Sequence, residues 1–348
     1  MANVLRKSNA FSSSDPPAFR QRLLAWYDVH ARDLPWRASR DPYRVWLSEI
    51  MLQQTRVAAV LDHYHEFLRR FPTVKKLAAA REASVLAAWS GLGYYRRARM
   101  LYAAAKVVVR EHGGKFPKTA EELRSLPGIG RYTAAAIASI AFDEPIAVVD
   151  GNVERVLQRV SGKRLADEEL WRAATHLLDA KRPGDFNQAM MELGATVCPP
   201  RAPACLTCPI VDLCATRGEL PVTSKPPSQT KREIHYALNF RDRNVADKRS
   251  RNGDRRDREV FLVQRTRDLT LMPGMWELPE LATASGASLH LFTLRHSITV
   301  TDYTVRVWKN SSVSGIRGKW IPLQRLRQIA LTGLARKILR TAETLQSF

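Results

Sequence analysis

The chain has 348 residues, 45% of them hydrophobic, and carries 55 Lys and Arg against 34 Asp and Glu, a net charge of +21. That length suits two domains better than one, and the hydrophobic share excludes wholesale disorder. No apolar run is long enough to cross a bilayer, so the positive charge points to a polyanion such as nucleic acid rather than to a membrane. The opening MANVLRKSNAFSSSDPP lacks an apolar signal region, so residues 1–18 read as a polar tail and the expected compartment is reducing and cytoplasmic. From Phe19 to Arg217 the predicted elements are helices, which makes this part all-α. "DPPAFRQRLLAWYDVHA" offers Asp15 as N-cap with Pro16 and Pro17 at the start. "DPYRVWLSEIMLQQTRVAAVLDHYHEFLRRF" begins the same way at Asp41-Pro42 and reads as helical up to Pro72. In "TAEELRSL", Thr119 precedes Glu122 by three residues, a capping box. After Cys214 the composition turns to Pro, Ser, Thr and charge, and residues 218–232 read as a linker. Beyond it "IHYALNF", "EVFLVQR", "YTVRVW" and "KWIPL" are strand-like and "TGLARKILRTAETL" is helical, giving a small α+β domain over 233–348. Residues 241–258, eight basic and four acidic, have almost nothing to bury and read as a long exposed hairpin loop.

Several short stretches carry chemistry. In "VWLSEIMLQQT" an ionisable carboxylate, Glu49, sits among Val45, Trp46, Leu47, Ile50, Met51 and Leu52. The neighbours three and four positions away are largely apolar, so its helical face is too. All four cysteines, Cys198, Cys205, Cys208 and Cys214, fall in one stretch with spacing C-x6-C-x2-C-x5-C. Disulfides do not suit a chain without an export signal, and four thiolates bind either tetrahedral zinc or a [4Fe–4S] cluster. A zinc ribbon normally presents two CxxC knuckles, and here there is one. "LPGIGRYTAAAIASIAF" places Gly128 and Gly130 in a tight turn before a helix whose first N–H groups can hold a phosphate, a helix–hairpin–helix pattern that grips a DNA backbone without reading its sequence. In "PIAVVDGNVERVL", Asp150 stands between an apolar run and a helix, as an N-cap whose carboxylate can still face a cleft.

Taken in this order, these motifs resemble the endonuclease III superfamily of DNA glycosylases. Within it, "LPWR", "PYRVWLSEIMLQQT", "GLGYYRRAR", "LPGIGRYTA" and "VVDGNVERVL" resemble the A/G-specific adenine glycosylases of MutY type, densely over roughly residues 20 to 217. The resemblance implies that Glu49 protonates adenine so that the base can leave. Its apolar bed supplies the physical reason, since burial favours the neutral carboxyl. Asp150 is then the second carboxylate, facing the positive charge that builds on the sugar. Tyr132 stands where endonuclease III carries the lysine that forms a Schiff base. A tyrosine has no amine to do so, and a monofunctional enzyme without strand-cutting lyase activity is implied. Gln54, with Thr55 beside it, and Tyr94 match positions that wedge into the duplex when the base is flipped. Arg37 and Asn152 match residues of the adenine pocket. Gly128 and Gly130 match the hairpin that holds the DNA backbone. The four cysteines match the ligands of a [4Fe–4S] cluster, with Arg201 and Arg217 flanking them to meet phosphates.

The C-terminal part resembles the Nudix-like domain that checks for 8-oxoguanine opposite the adenine, chiefly through "LMPGMWELPE". Gly274 and Glu280 match the opening of a Nudix box, but the carboxylate cluster that binds metal does not follow, so pyrophosphate hydrolysis is not expected. Where the family carries Phe-Ser-His this chain has Ile298-Thr299-Val300, and only the Thr299 hydroxyl is kept. The implied protein is a monomeric, bacterial-type, nucleoid-associated enzyme. It would release adenine mispaired with 8-oxoguanine or guanine in double-stranded DNA, with no membrane partner. A thymine mismatch glycosylase is the alternative enzyme, since such relatives also carry tyrosine at the Tyr132 position. A non-enzymatic iron–sulfur protein that only scans DNA is the alternative from another class.

Overall fold

A computed structural model describes residues 15–221, 229–242, 258–269, 271–282, 289–298, 300–309 and 312–345. The chain divides into two compact units, one of Met1–Val57, Thr73–Lys75 and Ala103–Ser224, the other of Ala58–Pro72, Lys76–Tyr102 and Lys225–Phe348. No helix among the described residues is long and apolar enough to cross a membrane.

Within the first unit lie α1 (Pro16–His30), α2 (Pro42–Leu52), α7 (Ala120–Leu123), α8 (Arg131–Phe142), α9 (Gly151–Ser161), α10 (Asp167–Leu177) and α11 (Pro183–Thr196). Helix α11 packs on α1, α8 and α9, and α2 packs on α8. The alanine-rich α8 allows close approach, with Ala134, Ala135, Ala136 and Ala138 all fully buried. Gly194 on α11 lies so near the start of α9 that a Cβ there would come within 2.6 Å of Asn152 Cβ. The capping box forms as the sequence predicts, Thr119 accepting from the Glu122 amide and Glu122 from the Thr119 amide. Asp41 caps α2 by accepting from Tyr43 N at 2.9 Å, whereas Asp15 precedes α1 without a side-chain cap bond.

The helix expected from Asp41 to Pro72 is two helices. It breaks after Leu52, where Gln54 adopts a left-handed φ of 56°, and resumes as α3 (Val57–Arg70). A continuous apolar pattern hid the break, because Gln53, Gln54 and Thr55 are compatible with a helix by propensity and leave it only in this context.

The second unit contains most of α3, α4 residues from Lys76 (α4 is Val74–Ala78), α5 (Glu82–Trp89) and the start of α6 (Arg96–His112), together with two sheets and α12 (Gly333–Thr344). One sheet runs β5 (Glu280–Leu281), β1 (Thr230–Ala237), β7 (Thr301–Lys309), β6 (Leu289–Ile298), with β1 and β7 parallel and β6 and β7 antiparallel. The other joins β2 (Phe240–Asp242), β3 (Arg258–Gln264) and β4 (Trp276–Glu277), with β8 (Gly318–Pro322) paired to β3. The run "IHYALNF" therefore breaks at Leu238–Asn239 and serves both sheets. Strand β6 was not foreseen, since "LHLFTLRHSI" mixes apolar and polar residues without strict alternation and carries a register shift between His290 and Phe292. Asp242 pairs with Arg258, so β2 and β3 form the hairpin expected there, and residues 243–257 between them lie outside the described residues. Tyr236, Leu238, Val260, Leu262, Val305, Val307, Leu334 and Ile338 share the core of this sheet region.

Candidate active site

Helix α2 carries Glu49 inward, its residue only 6% exposed among Trp46, Leu47, Ile50 and Met51. Helix α8, entered through the hairpin glycines, brings Tyr132 to it, and the Tyr132 hydroxyl donates to Glu49 Oε2 at 2.6 Å. Burial pushes the Glu49 carboxyl up to about 7, the nearby Asp150 adds to the rise, and the Tyr132 hydrogen bond and the Arg37 charge only partly offset it. Burial, reinforced by Glu49 and Asp150, holds the Tyr132 phenol well above its ordinary value, so Tyr132 remains a donor. Its hydroxyl also lies 3.3 Å from Met191 Sδ on α11.

Asp150 caps α9, and both of its oxygens are engaged. Oδ1 accepts from Asn152 N at 2.9 Å and Val153 N at 2.7 Å, while Oδ2 accepts from Asn152 Nδ2 at 2.8 Å. The helix start fixes the carboxylate next to Glu49 and Tyr132, and Asn152 locks its orientation. N-cap and active-site readings of Asp150 are thus compatible.

Arg37 ends a short 3₁₀ turn, Pro35–Arg37, and its Nη2 donates to Glu192 Oε2 at 2.8 Å. Glu192, whose side chain is 1% exposed, also binds Arg32 through Nε at 2.6 Å and Nη2 at 2.8 Å. Burial presses its carboxyl upward, but the bonds from Arg32 and Arg37 outweigh that and hold it below its ordinary value. Arg32 and Glu192 were missed in the sequence. Glu192 carried the same signal as Glu49, a carboxylate flanked by Met190, Met191 and Leu193.

At the hairpin, Gly128 has a left-handed φ of 75°, which accounts for glycine there. Gly130 does not need it on that ground. Its φ of −90° is open to any residue and a Cβ would meet nothing within 4 Å. What its bareness offers is room for another molecule against the start of α8, which has no side-chain cap. Gln54 and Tyr94 are both non-glycine residues in the left-handed region, at φ 56° and 47°, and Tyr94 is half exposed. Thr55 turns back on α2, its Oγ1 donating to Gln53 O at 3.3 Å. Thr299 lies outside the described residues.

Cys198, Cys205, Cys208 and Cys214 line one cavity with Val156, Val160, Leu193 and Ile210. Arg159 Nη1 donates to Cys198 Sγ at 3.1 Å, and the Arg217 amide to Cys214 Sγ at 3.5 Å. Arg159 further binds the carbonyls of Cys198, Pro199 and Pro200, which ties the loop to α9. Burial raises the Cys205 thiol and pushes Cys208 up to about 11. Among the described residues, no group of three or more His, Cys, Asp or Glu is drawn together as around a single ion. Four thiols around one cavity, with N–H groups aimed at sulfur, fit a cluster whose charge would favour the thiolates.

A helix–hairpin–helix leading to a buried carboxyl and a capped aspartate is the arrangement of a base-excision class of DNA repair protein. Residues 47–177 match the family described as HhH-GPD superfamily base excision DNA repair protein. An adenine DNA glycosylase of Mus musculus is 43% identical over 316 residues, covering 77% of this chain and 61% of the relative. The adenine DNA glycosylase of Homo sapiens is 52% identical over 215 residues, covering 58% of this chain and 39% of the relative. The chain therefore spans about two fifths to three fifths of the length of these relatives. Among solved structures, a thermostable thymine-DNA glycosylase is 31% identical with a TM-score of 0.55, covering 58% of this chain and 96% of that one. The chain belongs to the HhH-GPD superfamily of base excision DNA repair proteins and, within it, is of MutY type.

Proposed function

We propose that the protein is a monofunctional adenine DNA glycosylase that hydrolyses the N-glycosidic bond of adenine opposite 8-oxoguanine or guanine in duplex DNA, acting as a monomer in the compartment that holds the DNA. The observation that carries this reading is Glu49, a buried carboxyl that holds its proton up to about pH 7. Adenine is a poor leaving group until its ring is protonated, and an acid with a pKa near the working pH is the most effective donor. Tyr132 donates to Glu49 Oε2, which leaves Oε1 to carry the proton toward the base. As the bond breaks, positive charge grows on the sugar and the fixed Asp150 carboxylate stabilises it without needing to move. Water completes the hydrolysis. Tyr132 cannot form an imine with the sugar, so the backbone is left uncut. Arg37, held with Arg32 by Glu192, and Asn152, held by Asp150, are fixed polar groups suited to the edge of a flipped base.

The four cysteines would hold a [4Fe–4S] cluster, which supplies a rigid cross-link for the loop between residues 198 and 214. Residues 19–217 would form the glycosylase part, and the Nudix-like region over 233–348 would read 8-oxoguanine, with Gln54, Thr55 and Tyr94 meeting the opened duplex. Thymine opposite guanine is the second reading, supported by the thymine-DNA glycosylase structure. The adenine glycosylase of Mus musculus matches over more of the chain, 77% against 58%. A single-turnover assay on adenine opposite 8-oxoguanine, with and without hot alkali, tests the proposal beside thymine opposite guanine and the Glu49→Gln protein. Breaks on the adenine strand only after alkali, and lost with Glu49→Gln, are the expected result. Release of thymine alone, or of neither base, overturns it.

A further inference from the structure

The loop between α5 and α6 carries Tyr94, an exposed aromatic in a strained left-handed conformation. Such a conformation persists only where its surroundings over-determine it. Within the second unit three sets of contacts do so. Arg97 lies 5.3 Å from the Tyr94 ring and 5.5 Å from the Trp89 ring, and its Nη2 donates to the carbonyls of Leu92 and Gly93. Trp89 Nε1 donates to Gly93 O at 3.1 Å. The third set reaches further along the chain. Tyr95 Oη and Ser90 Oγ, both buried, each donate to the carbonyl of Leu331 at 2.9 Å.

Leu331 is itself fixed by the C-terminal sheet. It bridges Trp276 of β4, the Trp276 amide donates to Ala330 O, and the Thr332 amide returns to Trp276 O. Strand β4 pairs with β3 through Gln264↔Trp276 and Val263↔Glu277. A continuous hydrogen-bonded path thus runs from β3 through β4 and Leu331 to both ends of the loop that presents Tyr94.

We propose that Tyr95 and Ser90 are positioning residues that hold the Tyr94 ring in its duplex-facing pose by clamping the Leu331 carbonyl, so that the C-terminal sheet sets the pose of the wedge. The proposal rests on the glycosylase reading for its assay and for the entry of Tyr94 into the duplex. Both hydroxyls are buried and spent on the Leu331 carbonyl, so each acts through Tyr94. Removing one hydroxyl loosens the loop, and a pose held less firmly inserts less often.

A double-mutant cycle on single-turnover adenine release isolates this role. Tyr95→Phe keeps the ring and removes the donor, and is expected to slow release about fivefold, the rate equivalent of one buried hydrogen bond. In a Tyr94→Ala background the same change is expected to have no effect, because the ring it positions is gone. Ser90→Ala should behave in the same way, and it stands in if Tyr95→Phe folds poorly. An equal slowing in both backgrounds marks a general structural role and overturns the proposal, as does an unchanged rate in the parent background. Parent protein that releases no adenine would sink the glycosylase reading instead. The cycle is then read by fluorescence of 2-aminopurine in a bound duplex, where the parent should unstack the probe and Tyr95→Phe should not. Equal fluorescence from the two would again overturn the proposal.

Discussion

Tyr132 and Glu49, separated by 83 residues in sequence, meet through a 2.6 Å hydrogen bond inside an apolar helix face. The bond orients the carboxyl while burial keeps it protonated up to about pH 7. Single-turnover adenine release should therefore be fastest at and below that pH and fall about tenfold per unit above it. A rate that is flat from about pH 6 to about pH 9 would exclude Glu49 as the acid.

The same shift makes a stability prediction of opposite benefit. The folded state binds the Glu49 proton more tightly than an unfolded carboxyl of 4.5, so stability falls as pH rises from about 4.5 through about 7. A shift of this size corresponds to at most about 3 kcal/mol. Glu49→Gln removes the titration and should unfold at higher urea than the parent at about pH 8, with the difference vanishing near pH 4.5. Activity should be lost at every pH. Equal midpoints at the higher pH would contradict the burial argument.

Asp150 combines a cap and an anion, and two substitutions separate them. Asparagine caps a helix as well as aspartate, so Asp150→Asn should change stability by less than about 1 kcal/mol. It should still slow the chemical step by about 10²- to 10³-fold, the usual consequence of removing one charge-stabilising group. Asp150→Ala should lose the step and also about 1 kcal/mol of stability, because Asn152 N and Val153 N lose their acceptor. Full activity in Asp150→Asn would reduce the residue to its cap.

Much of this site was legible because its residues lie in local motifs. Glu49, Tyr132 and Asp150 were each readable beside an apolar run, a glycine hairpin or a helix start, and the fold joins them. Glu192 was not read, although it stands in an apolar helix much as Glu49 does, because no nearby residue announces Arg32 or Arg37, which reach it from 160 and 155 positions away. The break at Gln54 was invisible for another reason, since tertiary context and not local propensity ends α2 there. In the sheet region, the parallel pairing of β1 with β7 joins Thr230 to Thr301, a distance no periodicity records.

The cysteine loop should stand or fall with its thiolates. Burial pushes the Cys208 thiol up to about 11, so it ionises only beside a positive partner. Cys208→Ser should lower bound iron and inorganic sulfide per chain and the visible absorbance together, while far-UV circular dichroism changes little, because α11 also packs on α1, α8 and α9. Iron-free parent protein with undiminished DNA binding would remove the structural role of a cluster. Zinc in place of iron and sulfide would replace the cluster with a single ion.

Glu192 is the most exacting test of the pocket, since its buried carboxylate faces two guanidinium groups. Replacing it with alanine leaves Arg37, whose side chain is 16% exposed, without its carboxylate partner. Breaking such a buried pair costs about 3–5 kcal/mol, mostly the penalty of the stranded charge. Arg32 is more exposed and hydrates more easily, so Arg32→Ala should cost less than Glu192→Ala. The pairing holds the Glu192 carboxyl below its ordinary 4.5. Its contribution is therefore complete above about pH 4.5 and lost as pH falls through the lower folded value. The gap in urea midpoint between parent and Glu192→Gln should accordingly narrow in acid. A gap that is constant with pH would show that Glu192 contributes by packing alone. If the pocket also receives the base, Glu192→Gln should weaken binding of adenine-containing duplex more than it slows release at saturation, the reverse of the pattern expected for Asp150→Asn.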